Sequence, residues 1–206
     1  MRILISHQVP PARRLPSNRA LAAMAIAFGA LLLALFCLKA VGAQAVSDGA
    51  TLERSVKAAF LVKFLGYVDY PDNVAPGAGE ALVIGVLGAD DVAEELRRIT
   101  TGRSMNGRAV TVRKLHAADA LGKVHLLFIG DDELADVEKA LAAVRQMPVL
   151  TVTEIGRNVR QDSVINFRVV DERVRFEVSL DAAERSNLKL SSRLLAVAYK
   201  VLRSNR

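Results

Sequence analysis

The chain has 206 residues, 28 of them Lys or Arg against 22 Asp or Glu, and 51% apolar, which suits one domain with an ordinary core. Five of the basic residues (Arg2, Arg13, Arg14, Arg19 and Lys39) fall in the first 45, which hold no acid, so the rest of the chain is nearly neutral at 23 basic against 22 acidic. That mixed charge excludes an electrostatic footprint for nucleic acid, and the single cysteine, Cys37, leaves the body without a disulfide, a thiol nucleophile or a cysteine metal site.

Residues 20 to 38, ALAAMAIAFGALLLALFCL, form an unbroken apolar or small run, with Arg13, Arg14 and Arg19 before it and Lys39-AVGAQA after it. This pattern predicts a signal peptide over residues 1–45, cleaved after Ala45 of Ala43-Gln44-Ala45. An uncleaved anchor is the competing expectation, because about 20 apolar residues span a bilayer. Both place the body outside the cytoplasm, since the basic residues hold the N-terminal end of the run inside. Leu15-Pro16 argues against a twin-arginine signal, and Phe36 against a lipoprotein site at Cys37. An exported body has no ready supply of ATP or reduced nicotinamide, which counts against kinases and dehydrogenases.

Along the body, Leu52, Val56, Ala59, Phe60, Phe64 and Tyr67 recur at helical spacing and predict an amphipathic helix over 51–68, with Lys57 and Lys63 on other faces. Pro71 and Pro76-Gly77-Ala78-Gly79 end it. The continuous apolar run 81–87 reads as a buried strand, followed by a helix from Asp91 to about Thr100 and a turn over 101–107. Residues 109–115 alternate as a strand, and 125–129 form another buried run. A helix opens at Gly130-Asp131-Asp132 and carries Leu134, Val137, Leu141 and Val144 on one face. Residues 148–152 read as a strand, 154–162 as irregular, and 164–170 with 173–180 as a hairpin about Asp171-Glu172. A closing helix is expected from Ser191 or Ser192 to about Val201, with Leu194, Leu195, Ala198 and Val201 inward. These elements predict an α/β layered single domain over residues 46–206, with a largely parallel central sheet, an antiparallel C-terminal hairpin and flanking helices.

No motif assembles a catalytic set. Gly85-Val-Leu-Gly88 resembles a phosphate turn, yet Asp90 and Asp91 stand where the anion would sit and read as helix caps. Asp131 and Asp132 would need a third carboxylate and a lysine to make a magnesium site; the nearest candidates, Thr151 to Glu154, supply no lysine, and the pair reads as a cap as well. His116 and His125 have neither zinc-helix spacing nor cysteines beside them, so no metal and no cofactor is expected, and His125 reads as a strand-end residue with a backbone partner. Ser191-Ser192 lies outside any nucleophile elbow. Two groups remain as candidate contact surfaces, because aromatics and arginine anchor interfaces. One is the cluster Phe64, Tyr67 and Tyr70 where the first helix ends. The other is Arg173, Arg175 and Glu177, which share one face of a strand. For each the bland reading stands beside it: core filling for the aromatics, a solvated sheet face for the charges.

The order of Val56-Lys-Ala-Ala-Phe-Leu-Val-Lys-Phe64, Tyr67-Val-Asp-Tyr-Pro71, the strand 82–88, Pro148-Val-Leu-Thr-Val152, Ile165-Asn-Phe167, Val174-Arg-Phe-Glu-Val-Ser-Leu180 and Leu188-Lys-Leu-Ser-Ser-Arg-Leu-Leu195 resembles the YfiR-like family of Gram-negative periplasmic proteins, over about residues 51–203. Tyr70 stands where the family usually has Trp, and the cysteines of some members are absent, so redox control through them is not carried over. The resemblance implies a non-enzymatic regulator that binds the periplasmic portion of an inner-membrane, YfiN-like diguanylate cyclase and represses it, lowering cyclic-di-GMP and biofilm formation. A homodimer stays open. The alternative is a periplasmic small-molecule binding component of a transport or receptor system, with the ligand in the sheet's crevice.

Overall fold

In the computed structural model the described residues are 49–77, 79–116, 122–130, 134–154 and 162–203. All belong to the unit Gly49–Arg206. The expected signal peptide with Cys37, and the pair Asp131-Asp132, lie outside them.

Residues 49–64 form the first helix, α1. A 3-10 turn, Leu65–Tyr67, then leads into β1, Val68–Asp69. The inward stripe of α1 is Ala58, Leu61 and Phe64, followed by Leu65. It is rotated from the expected one, because Leu52 and Ala59 are exposed and Lys57 turns toward the sheet. The helix also stops short of residue 68, where the chain straightens to pair with Leu190.

The strands are β2 (Leu82–Leu87), β3 (Ser104–Met105), β4 (Arg108–Leu115), β5 (Leu126–Ile129), β6 (Leu150–Thr153), β7 (Ile165–Val170), β8 (Arg173–Ser179), β9 (Lys189–Leu190) and β10 (Lys200–Leu202). Eight of them make one sheet in the order β10-β8-β7-β6-β5-β2-β4-β3, while β1 and β9 pair separately and antiparallel. Strands β4, β2, β5, β6 and β7 are parallel, β7 and β8 form the antiparallel hairpin, and β10 runs parallel to β8. The largely parallel sheet with its hairpin is thus as expected. The short strands β1, β3 and β9 had no periodic signal of their own.

Helix α2 (Asp90–Thr100) buries Val92, Ala93 and Leu96 and ends in Arg97 and Arg98, as the helix dipole favours. Helix α3 is Leu134–Val144, α4 Leu180–Arg185 and α5 Ser192–Val197. The closing helix is shorter than expected, since Val201 lies in β10 and is 42% exposed. Ser191 caps α5, its hydroxyl accepting from the Arg193 amide.

Period-two alternation divides the sheet into two faces. Leu82, Ile84, Val86, Leu126, Phe128, Leu150, Val152, Ile165, Phe167, Phe176 and Val178 belong to the larger core with α1, α2, α4 and α5. On the other face, Leu87, Leu115, Leu127 and Ile129 pack with Leu141 and Val144 of α3. That second layer gives way at β6 and β7 to buried polar groups. Thr153 Oγ1 bonds both Ser163 Oγ (2.7 Å) and Asn166 Oδ1 (2.9 Å), and Thr151 Oγ1 accepts from the Val164 amide at 2.9 Å.

Candidate functional site

Two positive-φ residues, Asp171 (49°) and Glu172 (58°), make the tight turn between β7 and β8, a backbone twist that suits antiparallel strands. The register follows from the core: Ile165 faces Val178, Phe167 faces Phe176 and Val169 faces Val174. Alternation then sends Asn166 with Glu177, Arg168 with Arg175 and Val170 with Arg173 to the opposite face. Arg173 and Arg175 are exposed and Glu177 is half-buried, with Lys200 of β10 in register beside it. The structure therefore brings the three expected residues together, and adds Arg168 and Lys200 to make a predominantly basic surface.

The aromatic group does not form such a surface. Phe64 is 1% exposed and packs within 5.0 Å of the Phe176 ring, 5.7 Å of Phe60 and 5.9 Å of Phe167. Tyr70 donates to the His125 carbonyl at 2.9 Å and lies edge-on to its ring, and burial pushes its phenol well above the ordinary value. Tyr67 is half-buried against the same core. Phe64 and Tyr70 thus fill and fasten the interior.

His125 is a strand-end residue with backbone partners, as expected. Its amide donates to Val83 O, and its Nδ1 accepts from Val83 N at 3.0 Å. Asp90 and Asp91 do not hold the N-cap position, which is Ala89's; they occupy the first turn, where Asp91 Oδ1 accepts from the Val92 amide at 2.7 Å and the two acids pair with Lys114 (3.0 Å) and Arg54 (3.5 Å).

At the carboxyl end of the sheet, strand order reverses between β2 and β5, where an α/β sheet ordinarily opens a ligand crevice. Here Gly88, at φ 63°, meets Gly130 so closely that a Cβ on Gly130 would lie 2.0 Å from the Gly88 carbonyl oxygen. Backbone fills that point, with the Asp90 and Asp91 carboxylates beside it. A cavity of about 320 Å³ lies instead farther along, where β7 runs on past β6, lined by Glu53, Lys57, Glu154, Phe167, Arg168 and Val169. Lys57 pairs there with Glu154 and, at 2.7 Å, with Glu53. Burial alone would lower its ammonium, but the hydrogen bonds and charges of the two glutamates outweigh that and hold it above the ordinary value. Glu53 and Lys57 show the i, i+4 spacing of a helix pair; Glu154, nearly a hundred residues away, carried no signal. Among the described residues no three potential metal-ligating acids or histidines converge, and no helix is long and apolar enough to cross a membrane.

With this arrangement in view, the sequence profile of the YfiR/HmsC-like family matches residues 54–199. The chain belongs to that family. The YfiR/HmsC-like proteins are regulatory and periplasmic, and are associated with control of diguanylate cyclases. No curated protein matches the sequence. Among solved structures, a conserved domain protein from Vibrio cholerae O1 biovar El Tor is similar at 12% identity and a TM-score of 0.45, over 58% of this chain and 54% of its own. The chain thus spans about half the length of that protein.

Proposed function

We propose that this YfiR/HmsC-like protein represses an inner-membrane diguanylate cyclase by binding the cyclase's periplasmic portion, and so lowers cyclic-di-GMP and biofilm formation. The family match over residues 54–199 carries the reading. The apolar run 20–38 and Ala43-Gln44-Ala45 support export to the periplasm. The basic hairpin face of Arg173, Arg175 and Glu177 supports a protein contact, since it sits on a fully paired ladder and needs no rearrangement to present its charges. A repressor of this kind requires only higher affinity for the inactive cyclase than for the active one. Deleting the gene raises cyclic-di-GMP, and deleting the cyclase gene as well returns it to the low level. Equal elevation in single and double deletions overturns the reading.

A second reading, a periplasmic small-molecule binding component, is favoured by the cavity around Lys57, lined by Glu53, Lys57, Glu154 and the β7 residues Phe167, Arg168 and Val169. A shift in melting temperature with small charged metabolites, lost in Lys57→Met, would establish it.

A further inference from the structure

Six large apolar side chains are exposed among the described residues, and three of them, Val197 (67%), Tyr199 (56%) and Val201 (42%), gather where α5 runs into β10. Ala198, extended at φ −65° and ψ 138°, ends the helix and is half-buried against the larger core, while the residues on either side of it stand out. The Tyr199 amide bonds Phe176 O and β10 pairs with β8, so the backbone that carries the three side chains is fixed. Apolar residues exposed singly are ordinary; three together on a fixed backbone make a patch.

The charges around the patch are of one sign. Residues 186–203 contain Lys189, Arg193, Lys200 and Arg203 and no acid. Arg203 is held by Glu184 at 3.0 Å, and Lys189 stands opposite Asp69 across the β1–β9 pair. Arg193 and Lys200 are exposed and form no ion pair among the described residues. Arg193 precedes Val197 by one turn, the i, i+4 spacing that sets two side chains side by side on a helix, and Lys200 lies between Tyr199 and Val201. Two aliphatic side chains and a tyrosine flanked by unneutralised cations match the boundary between acyl chains and anionic headgroups. Tyrosine is enriched at that depth, and cationic stems there lie over apolar surface with their heads among the phosphates.

We propose that this end of the molecule docks on the surface of a bilayer carrying anionic headgroups, with Val197, Tyr199 and Val201 at the acyl boundary and Arg193 and Lys200 on the phosphates. Apolar burial and headgroup attraction add in such binding. A second copy of this chain fits less well, because it brings Arg193 and Lys200 of both copies to one contact with no acid in residues 186–203 to neutralise them. Lys200 adjoins the basic face of the hairpin through its register with Glu177, so a membrane-anchored partner held on that face is met close to the lipid. The docking itself does not depend on the partner being a cyclase.

The chain has no tryptophan, so Tyr199→Trp places a single fluorophore in the patch. Met147→Trp, at a half-exposed site in the turn between α3 and β6, places one outside it. With vesicles of phosphatidylcholine mixed with phosphatidylglycerol, the emission of Tyr199→Trp shifts to the blue and is quenched by brominated acyl chains, whereas phosphatidylcholine alone has neither effect and Met147→Trp responds to neither vesicle. Added to Tyr199→Trp, Arg193→Gln/Lys200→Gln lowers the affinity for the anionic vesicles by about tenfold or more. Val197→Ser lowers it as well, and both leave the melting temperature unchanged. No shift with anionic vesicles, an equal response of the two tryptophans, or an equal response to neutral vesicles each overturns the proposal. A shift that grows with protein concentration in the absence of lipid does so too, since it assigns the patch to a second copy.

Discussion

The end of α1 and the β7–β8 hairpin both offer the residue types that dominate protein interfaces, and the fold treats them in opposite ways. Phe64 and Tyr70 are drawn inward, onto Phe176 and the His125 carbonyl, while Arg173 and Arg175 are pushed outward on the strand that carries Phe176. The same residue, Phe176, decides both outcomes. By anchoring one face of β8 under α1 it fixes the aromatic cluster as core, and by alternation it fixes the arginines as surface. Residue type alone therefore identifies candidates, and the face assigns their role.

The contrast is sharpest in stability. Phe64→Ala removes a ring in contact with three others and should cost about 3–5 kcal/mol in denaturant unfolding. A loss below about 1 kcal/mol would mean that the aromatic end of α1 is not a packed core and would return it to the candidate contact surfaces. Tyr70→Phe keeps the ring and deletes one hydrogen bond. The His125 carbonyl still accepts from the Leu150 amide, so the expected cost is about 1 kcal/mol.

How far these roles were legible depends on the range of the interaction. The buried strands, α2 and the hairpin were visible because their signals are local: continuous apolar runs, 3.6-residue spacing, and an acidic pair between two alternating segments. The arginine face was legible for the same reason, since alternation along β8 is a property of consecutive residues. In α1, Leu52 and Ala59 fit the helical period as well as Ala58 and Leu61 do, and contact with the sheet selects between them. Leu194, Leu195, Ala198 and Val201 fit the same period, yet after α5 the chain straightens to bond Tyr199 N to Phe176 O and continues as β10. Lys57 with Glu154 and Gly88 against Gly130 are products of tertiary pairing and have no sequence signal.

A smaller effect separates the two regions by pH. His125 is 3% exposed, its Nδ1 accepts from an amide, and its Nε2 has no hydrogen-bond partner among the described residues, an arrangement that holds only for neutral imidazole. Burial first, then the charge of Lys123, hold its pKa below the ordinary 6.5, with Glu80 opposing. The unfolded chain therefore takes up this proton at higher pH than the folded one. The contribution of His125 is complete above about pH 6.5 and is lost as pH falls through that value toward the lower folded pKa. Denaturation midpoints between about pH 7 and pH 5 should fall, and His125→Asn should flatten the slope. A slope unchanged by the substitution would detach His125, and with it the Tyr70 bond, from the acid response.

The smallest expected change in stability carries the most weight for function. Arg175 is exposed and stands opposite Arg168 across the hairpin, so Arg175→Glu exchanges two like charges for an opposite pair. Cross-strand opposite pairs are mildly favourable, and unfolding should shift by about 0.5 kcal/mol or less, in the stabilising direction. If the hairpin face is where the cyclase is held, the same substitution puts a negative charge into a contact built on positive ones and should weaken binding by about 2 kcal/mol or more. Cyclic-di-GMP would then rise in cells that make and export the variant at the normal level. Repression equal to that of the unaltered protein would remove the hairpin face from the contact. With Phe64 already committed to the core, attention would pass to the surfaces at the other end of the sheet.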